Sequence, residues 1–354
     1  MDRFYCNNDY ENYLKEYESK VFGRLGVSSP SAEREIICMA ESGNTVAYKL
    51  YADLIYYKKI IRKNRYRDAF DLYLKSAGIN VDENGEWNCS GDSYPLAFWI
   101  IGYYLVNYKR ESVLKDVETI DIIENMPLTE RLKTALMLAE VSIEYIDAPG
   151  ALNLMGRVLY EIADNNELFE KLGGFVSEYL TGRTFANISF TVGYLISKED
   201  FRETAESFLV KAAEEGYVYA CNSLAAREAE RIINADDSDS EKISDLVLNY
   251  ICFLKLAADK FEPYAANRLG LFYVTGEITS GEKKKRYKEY IDRSKAKEYF
   301  IKATTYPDAN AAWGYFNLMK YFYNDYDNNI ELMNEHMDYI KELNPKVYDI
   351  AMDL

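Results

Sequence analysis

A pattern of alanine, glycine and large apolar residues recurs along this chain at helical spacing. The best-defined copy consists of Ala258, Ala265, Leu269, Gly270, Tyr273 and Gly276. A second copy lies 45 residues earlier and consists of Ala213, Gly216, Ala220 and Leu224. A third copy lies near the N-terminus and consists of Ala40, Gly43, Ala47 and Tyr51. Such a recurrence predicts a protein built from repeated structural units that pack on their neighbours.

Each copy predicts one helix, which we call the first helix of the repeat. Ala265, Leu269 and Tyr273 are four residues apart, so they lie on one helical face. Ala265 and Gly270 are small and would let a neighbouring helix approach closely. Gly276 would end the helix, because the position after a helix often adopts a left-handed conformation that favours glycine.

A separate signature predicts the second helix of each unit. A small residue is followed by large apolar residues three and four positions later, a lysine after six and a small residue after eight. The copies are Ala69, Leu72, Tyr73, Lys75, Ala77; Ala205, Phe208, Leu209, Lys211, Ala213; and Ala296, Tyr299, Phe300, Lys302, Thr304. A fourth copy, Asn249, Cys252, Phe253, Lys255 and Ala257, has asparagine in place of the first alanine. We expect this face to pack against the first helix.

Together these residues resemble the Sel-one-like repeat family, a relative of the tetratricopeptide repeats. That unit reads approximately A-x-x-G-x-x-x-A-x-x-x-L-G-x-x-Y-x-x-G, and residues 258–276 match it except that Phe261 stands at the first glycine. The resemblance implies an all-α fold, a right-handed α-solenoid of about six antiparallel helical hairpins with capping helices. The repeats here are 45–46 residues apart, longer than is usual in the family, so lengthened loops are expected between helices.

The predicted organisation has three parts: an N-terminal capping helix and turn at 1–30, the repeat solenoid at 31–327 and C-terminal capping helices at 328–354. Caps are expected because an end repeat would otherwise expose its apolar face. The clear repeats cover about 40–78, 201–230 and 248–323, and residues 79–200 hold degenerate copies. Proline and glycine predict turns at Met126-Pro127, Ala148-Pro149 and Gly173-Gly174.

The amino-acid composition argues against some classes of binding partner and indicates where in the cell the protein is found. The net charge is −16, which argues against general nucleic-acid binding and against docking on an anionic membrane. No stretch approaches the roughly 20 apolar residues that cross a bilayer, and the N-terminus does not look like a signal peptide. The 5 cysteines are scattered and form no C-x-x-C pair, which suits reduced thiols. We therefore predict a cytoplasmic protein with no membrane contact.

No motif in the sequence predicts catalysis. His336 is the single histidine and has no H-E-x-x-H or C-x-x-C companion for a metal. Glycine-rich phosphate loops and G-x-S-x-G are absent, so neither a cofactor nor a metal is predicted. The chain is predicted not to be an enzyme. One alternative stays open, a carboxylate-based site in the divergent region 78–200, because acidic residues are abundant.

Two positions on each first helix form what we call the column. They follow the key alanine by two and by six residues. The column comprises Lys49, Asp53, Trp99, Tyr103, Asn153, Arg157, Asn222, Asn267, Trp313 and Asn317. The resemblance implies that these side chains line the concave groove of a solenoid. Asparagine there could bind the backbone of an extended peptide, Lys49 or Arg157 could bind a carboxylate, and Trp and Tyr are typical binding anchors.

Two clusters of cations stand out against the acidic total, and we call them the basic edge. They lie between the first and second helix of a clear repeat: Lys58, Lys59, Arg62 and Lys63 in one, and Lys283, Lys284, Lys285 and Arg286 in the other. Such clusters either stay in solvent or dock an acidic partner or RNA.

The sequence thus predicts a non-catalytic scaffold or adaptor that binds a protein or peptide in its concave groove. Three alternatives remain: an enzyme with its site in region 78–200, a binder of an acidic partner or RNA through the basic edge, and a structural protein that associates with itself.

Overall fold

The structure is a computed structural model that divides into two compact units, Met1–Lys211 and Ala212–Leu354. It describes residues 30–57, 60–82, 87–89, 92–110, 114–115, 117–145, 148–236, 240–305, 310–322 and 330–353. The N-terminal cap predicted at 1–30 therefore lies outside the described residues, apart from Pro30.

The first unit contains nine helices among its described residues. They are α1 Pro30–Glu41, α2 Thr45–Tyr56, α3 Arg65–Ser76, α4 Pro95–Asn107, α5 Asp121–Glu124, α6 Leu128–Tyr145, α7 Pro149–Asp164, α8 Asn166–Leu180 and α9 Lys198–Glu214, whose last turn passes the unit boundary. Two antiparallel strand pairs are inserted: β1 Ile79–Val81 with β2 Trp87–Cys89, and β3 Thr184–Phe185 with β4 Phe190–Thr191.

The second unit contains seven helices among its described residues. They are α10 Val218–Asn234, α11 Ser240–Ala258, α12 Pro263–Thr275, α13 Arg293–Ala303, α14 Ala311–Tyr321, α15 Ile330–Leu343 and α16 Pro345–Ala351. One antiparallel pair, β5 Glu277–Ser280 with β6 Lys283–Arg286, joins α12 to α13. The helices α15 and α16 occupy the segment in which capping helices are predicted.

Helices that follow one another, or that are separated only by the one-turn α5, pack as hairpins, which confirms the predicted all-α helical-repeat fold. In the first unit α2 packs on α3, α4 on α6 and α7 on α8, and in the second α10 packs on α11, α12 on α13 and α14 on α15. The first helices of these hairpins are the six that carry the column. Three of them begin with Pro95, Pro149 and Pro263, because the first helical position needs no backbone N–H donor.

Glycines of the repeat lie where helices approach most closely, as predicted. The ring of Phe300 in α13 occupies the space that a Cβ atom on Gly270 would need. A Cβ atom on Gly156 would lie 2.7 Å from the carbonyl oxygen of Ala205. Gly276 ends α12 with φ of 72°, the left-handed conformation expected of it. The small residues of one helix thus leave space that the large residues of a neighbouring helix fill.

Aromatic side chains fill much of the interior of the first unit. Tyr104 of α4 is fully buried, with its ring centroid 5.2 Å from that of Phe70 and 6.0 Å from that of Tyr73. Burying rings of this size supplies a large part of the hydrophobic stabilisation of a small repeat.

Two features differ from the sequence-based predictions. The turn predicted at Gly173-Gly174 is wrong, because both glycines lie inside α8. Buried apolar residues on either side, Leu172 and Val176, stabilise that helix despite its glycines. The three short strand pairs were also not predicted, since none shows the alternation of a half-buried strand over more than four residues.

Candidate functional site

The column residues of α2 form an internal network rather than a free surface. Lys49 Nζ lies 2.7 Å from Asp53 Oδ2, and the Tyr73 hydroxyl of α3 donates to Asp53 Oδ1 at 2.7 Å. Asp53 is buried, and the pKa of Tyr73 is well above its ordinary value because of burial first and the Asp53 charge second. These contacts join α2 to α3.

Two column residues, Trp99 of α4 and Arg157 of α7, make contacts between these two helices, which pack together. The ring of Trp99 covers Gly150, where a Cβ atom would come within 2.7 Å of it. Arg157 Nη2 donates to Asn107 Oδ1 at 3.0 Å. The structure therefore brings Trp99, Tyr103, Asn153 and Arg157 to one pair of neighbouring helices.

The side-chain oxygen of Asn153 is buried and has no donor among the described residues. Its side chain is 5% exposed, and Oδ1 has no hydrogen-bond partner within the described part of the chain. Between Gly150 and Ala163, all of which the structure describes, Arg157 and Glu161 are the half-buried residues and the others are buried. Asn153 thus lies at the end of the one polar strip of α7.

The column asparagines of the second unit connect successive first helices. Asn222 Nδ2 donates to Glu262 Oε2 at 3.1 Å, and Glu262 caps the N-terminus of α12. Asn267 Nδ2 donates at 2.8 Å to the carbonyl oxygen of Asn310, the residue that precedes α14. Asn317 Nδ2 donates to Asn267 Oδ1 at 3.4 Å. These side chains help to set the register between repeats.

Replacing Asn267 by alanine is expected to lower the free energy of unfolding by about 1–2 kcal/mol, because the buried Asn317 amide loses its acceptor and the Asn310 carbonyl oxygen loses its donor. Chemical denaturation followed by circular dichroism measures this. The control is Asn88→Ala, at an exposed position of β2. Equal stability of the two variants would show that the asparagine contacts do not hold the repeats in register.

Exposed aromatic residues occur on each first helix of the second unit. Trp313 of the column is 37% exposed and packs edge-to-face on Phe316 at 5.5 Å. Tyr219 of α10 and Tyr264 of α12 are also exposed. Sequence reasoning missed these two tyrosines, although each lies three residues before a column asparagine and hence on the same helical face.

The basic edge divides into a bound part and an exposed part. In the second unit, Lys284 Nζ lies 3.2 Å from Glu277 Oε1, Lys285 Nζ donates to the Ala235 carbonyl at 2.9 Å, and Arg286 Nε donates to the Thr275 carbonyl at 2.9 Å. Lys283 is exposed. These cations lie on β6, a short strand of the kind that lysine protects from edge-to-edge pairing.

In the first unit, Lys58 and Lys59 of the basic edge lie outside the described residues. Arg62 and Lys63 are exposed, and Arg62 Nη2 donates to the Tyr51 hydroxyl at 2.6 Å. This part of the edge keeps most of its charge in solvent.

One strongly perturbed carboxylate lies in the divergent region. Glu140 of α6 is 3% exposed, and burial raises its pKa to about 7, a rise that Arg183 opposes and Glu144 reinforces. Arg183 contacts Oε1 and the Tyr179 hydroxyl donates to Oε2. Both oxygens are thus bound by side chains from α8 and from the segment that follows it.

Among the described residues, few other side chains are candidates for a catalytic or metal-binding site. The ring of His336 packs on that of Tyr315, with centroids 4.7 Å apart, and burial lowers the pKa of His336. Within the described residues, no group of three or more His, Cys, Asp and Glu side chains could hold a metal ion. None of the described helices is long and apolar enough to cross a bilayer.

Comparison with known proteins bears on architecture alone. No protein-family model matches the chain, and no curated protein matches it. A Sel1 repeat protein from Oxalobacter formigenes is similar in structure, with 15% identity, a TM-score of 0.44 and coverage of 95% of this chain and 99% of that one. A protective antigen of uropathogenic Escherichia coli strains with an SLR fold shows 14% identity and a TM-score of 0.32, over 98% of this chain and 64% of that one. Since both TM-scores are below 0.5, the helical-repeat fold rests on the hairpins described above.

Proposed function

We propose that this chain is a non-catalytic scaffold or adaptor that binds an extended segment of a partner protein through the column residues of α4 and α7. The observation that supports this best is the buried oxygen of Asn153. A buried acceptor without a donor costs about 1–3 kcal/mol, so its retention calls for an explanation. A backbone N–H of a bound peptide would supply the missing donor once the side chains that cover this oxygen have moved aside.

The neighbours of Asn153 suit such a ligand. Trp99 and Tyr103 are half-buried aromatic residues that offer contact area at low entropy cost, and Arg157 carries the positive charge needed for a ligand carboxylate. Asn153 would bind the main chain of the peptide, and the two aromatic rings would contact the apolar side chains of the peptide. Arg157 would bind an acidic group of the peptide. Glu161, the other charged residue of the strip, has Oε1 2.7 Å from Arg110 Nη2 and is paired within the fold.

The second unit supplies a further surface for the same function. Tyr219, Tyr264 and Trp313 are exposed on three successive first helices, and Tyr and Trp are enriched among residues that dominate binding energy. In this proposal the asparagines of that unit maintain the spacing of these anchors. We place the protein in the cytoplasm, which its scattered free cysteines support.

Asn153→Leu tests the proposal. A peptide is first selected on the purified chain from a displayed random library, and its affinity is then measured by fluorescence anisotropy. The variant is expected to bind it at least about tenfold more weakly, a loss of about 1.4 kcal/mol. It should melt no lower than the wild type, because it removes an unsatisfied buried polar group.

The control is Tyr194→Ser, an exposed aromatic residue that lies outside the first helices. It should leave the affinity unchanged. Equal binding of the peptide by Asn153→Leu and the wild type would refute a binding site at this column position. A stable variant with lost affinity is the result that distinguishes binding from structural support.

A further inference from the structure

The connection between α2 and α3 presents apolar and basic side chains together to solvent. Ile61 is 91% exposed, the highest value for a large hydrophobic residue in the described part of the chain, and Tyr57 is 62% exposed. Arg62, Lys63 and Arg67 beside them are exposed as well. We call these five residues the basic–apolar loop.

The loop is anchored by its own hydrogen bonds. Ile60 N donates to the Leu54 carbonyl at 3.0 Å, and Arg62 Nη2 donates to the Tyr51 hydroxyl at 2.6 Å. The guanidinium of Arg65 lies over the Tyr66 ring, 4.1 Å from its centroid. Because the backbone of Ile60 and the side chain of Arg62 are both hydrogen-bonded to α2, the exposed Ile61 side chain between them is part of a formed surface.

Two of the three cations of the loop, Arg62 and Lys63, are not neutralised locally. Neither Arg62 nor Lys63 makes an ion pair within the described part of the chain. The nearest acids in sequence, Asp68 and Asp71, follow on α3, and the charge of Arg67 lowers the pKa of Asp71 against the rise that burial causes. Cations therefore accumulate here in a chain whose net charge is −16.

We propose that the basic–apolar loop is a docking site for an acidic segment of a partner protein that carries a large apolar side chain between its carboxylates. The carboxylates complement Arg62 and Lys63, and the apolar side chain covers Ile61 and Tyr57, which lose exposed apolar area. This site does not include Asn153, on which the test of the proposed function rests, so the two tests can fail independently.

A polypeptide fits this surface better than a nucleic acid does. Tyr57 has a ring on which a base could stack, but the more exposed Ile61 offers only aliphatic contact, which suits an apolar side chain better than a base or a phosphate backbone. The net charge of −16 also repels a long polyanion over a wider range than it repels a short acidic segment.

The test uses the full chain and a fluorescent peptide of alternating glutamate and leucine. We expect binding that weakens as salt rises, and no binding of the matched peptide in which glutamine replaces glutamate. Arg62→Glu with Lys63→Glu should reduce the affinity at least about tenfold. Ile61→Ser should reduce it about five- to tenfold and leave the salt dependence unchanged.

Two controls distinguish an effect of the loop on binding from an effect of the total charge and from a loss of folded structure. Lys341→Glu with Lys346→Glu changes the net charge by the same amount at exposed positions elsewhere and should bind as the wild type does. Circular dichroism should be unchanged in every variant, since the substituted residues are exposed. No binding by the wild type, equal loss in the control, or binding of single-stranded RNA in place of the acidic peptide would each overturn the proposal.

Discussion

Gly156→Ala is expected to lower the free energy of unfolding by about 1–3 kcal/mol, the range typical of an overpacked interior. A Cβ atom at this position would lie 2.7 Å from the carbonyl oxygen of Ala205 and 2.8 Å from Leu209 Cγ. A side chain could turn away, but the carbonyl oxygen belongs to the backbone of α9. The two helices would have to separate, and contacts along their interface would weaken.

The same substitution at Gly174 should raise the free energy of unfolding instead of lowering it. Gly174 is exposed in α8, and nothing lies within 4 Å of the Cβ position. Alanine there should stabilise the chain by about 0.5–1 kcal/mol, because it reduces the backbone entropy that folding loses. Urea denaturation of both variants measures the difference. Similar shifts in the same direction would show that α7 and α9 do not approach each other at Gly156.

Glu140 is expected to make the chain less stable as the pH rises. Its pKa is 4.5 in a solvent-exposed state and about 7 in the fold. A carboxyl group whose pKa is raised on folding contributes stability below the lower value and loses it as the pH passes the higher one. The loss between these two values amounts to about 3 kcal/mol at 1.36 kcal/mol for each pKa unit.

Glu140→Gln removes this titration and keeps the shape of the side chain. The variant should match the wild type below the lower pKa and exceed its stability above pH of about 7 by up to about 3 kcal/mol. Thermal unfolding at a series of pH values measures this. The control Glu130→Gln, at an exposed position of the same helix, should retain the pH dependence of the wild type. A constant difference between Glu140→Gln and the wild type at all pH values would contradict the prediction.

The repeat signatures predicted which helices pack and through which residues. The second-helix signature has a large residue four positions after its first small residue. In two copies this residue is Phe300, which lies over Gly270, and Leu209, which lies over Gly156, and both glycines belong to first helices. This was predictable because a helix has a fixed period, so sequence spacing alone assigns residues to a face. The prolines at the start of α4, α7 and α12 acted through local geometry in the same way.

Local sequence patterns were insufficient to predict contacts between residues that are far apart in the sequence. Spacing placed Asn267 in the column, but its bonds to Asn310 and Asn317 connect positions far apart in sequence. The turn predicted at Gly173-Gly174 failed for the same reason, since packing of Leu172 and Val176 outweighs the low helix propensity of glycine.

The amino-acid sequence was therefore enough to establish the all-α repeat fold, the first helices, the second helices that carry the signature and the residues that these helices turn toward their neighbours, because these follow from short-range periodicity. Only the tertiary structure decided which polar side chains are satisfied. It showed that Asp53 and Asn267 are bound within the fold, whereas Asn153 Oδ1 has no partner in the described part of the chain. Hydrogen bonding depends on distances of about 3 Å between residues that the chain brings together only when it folds, and no sequence spacing encodes them.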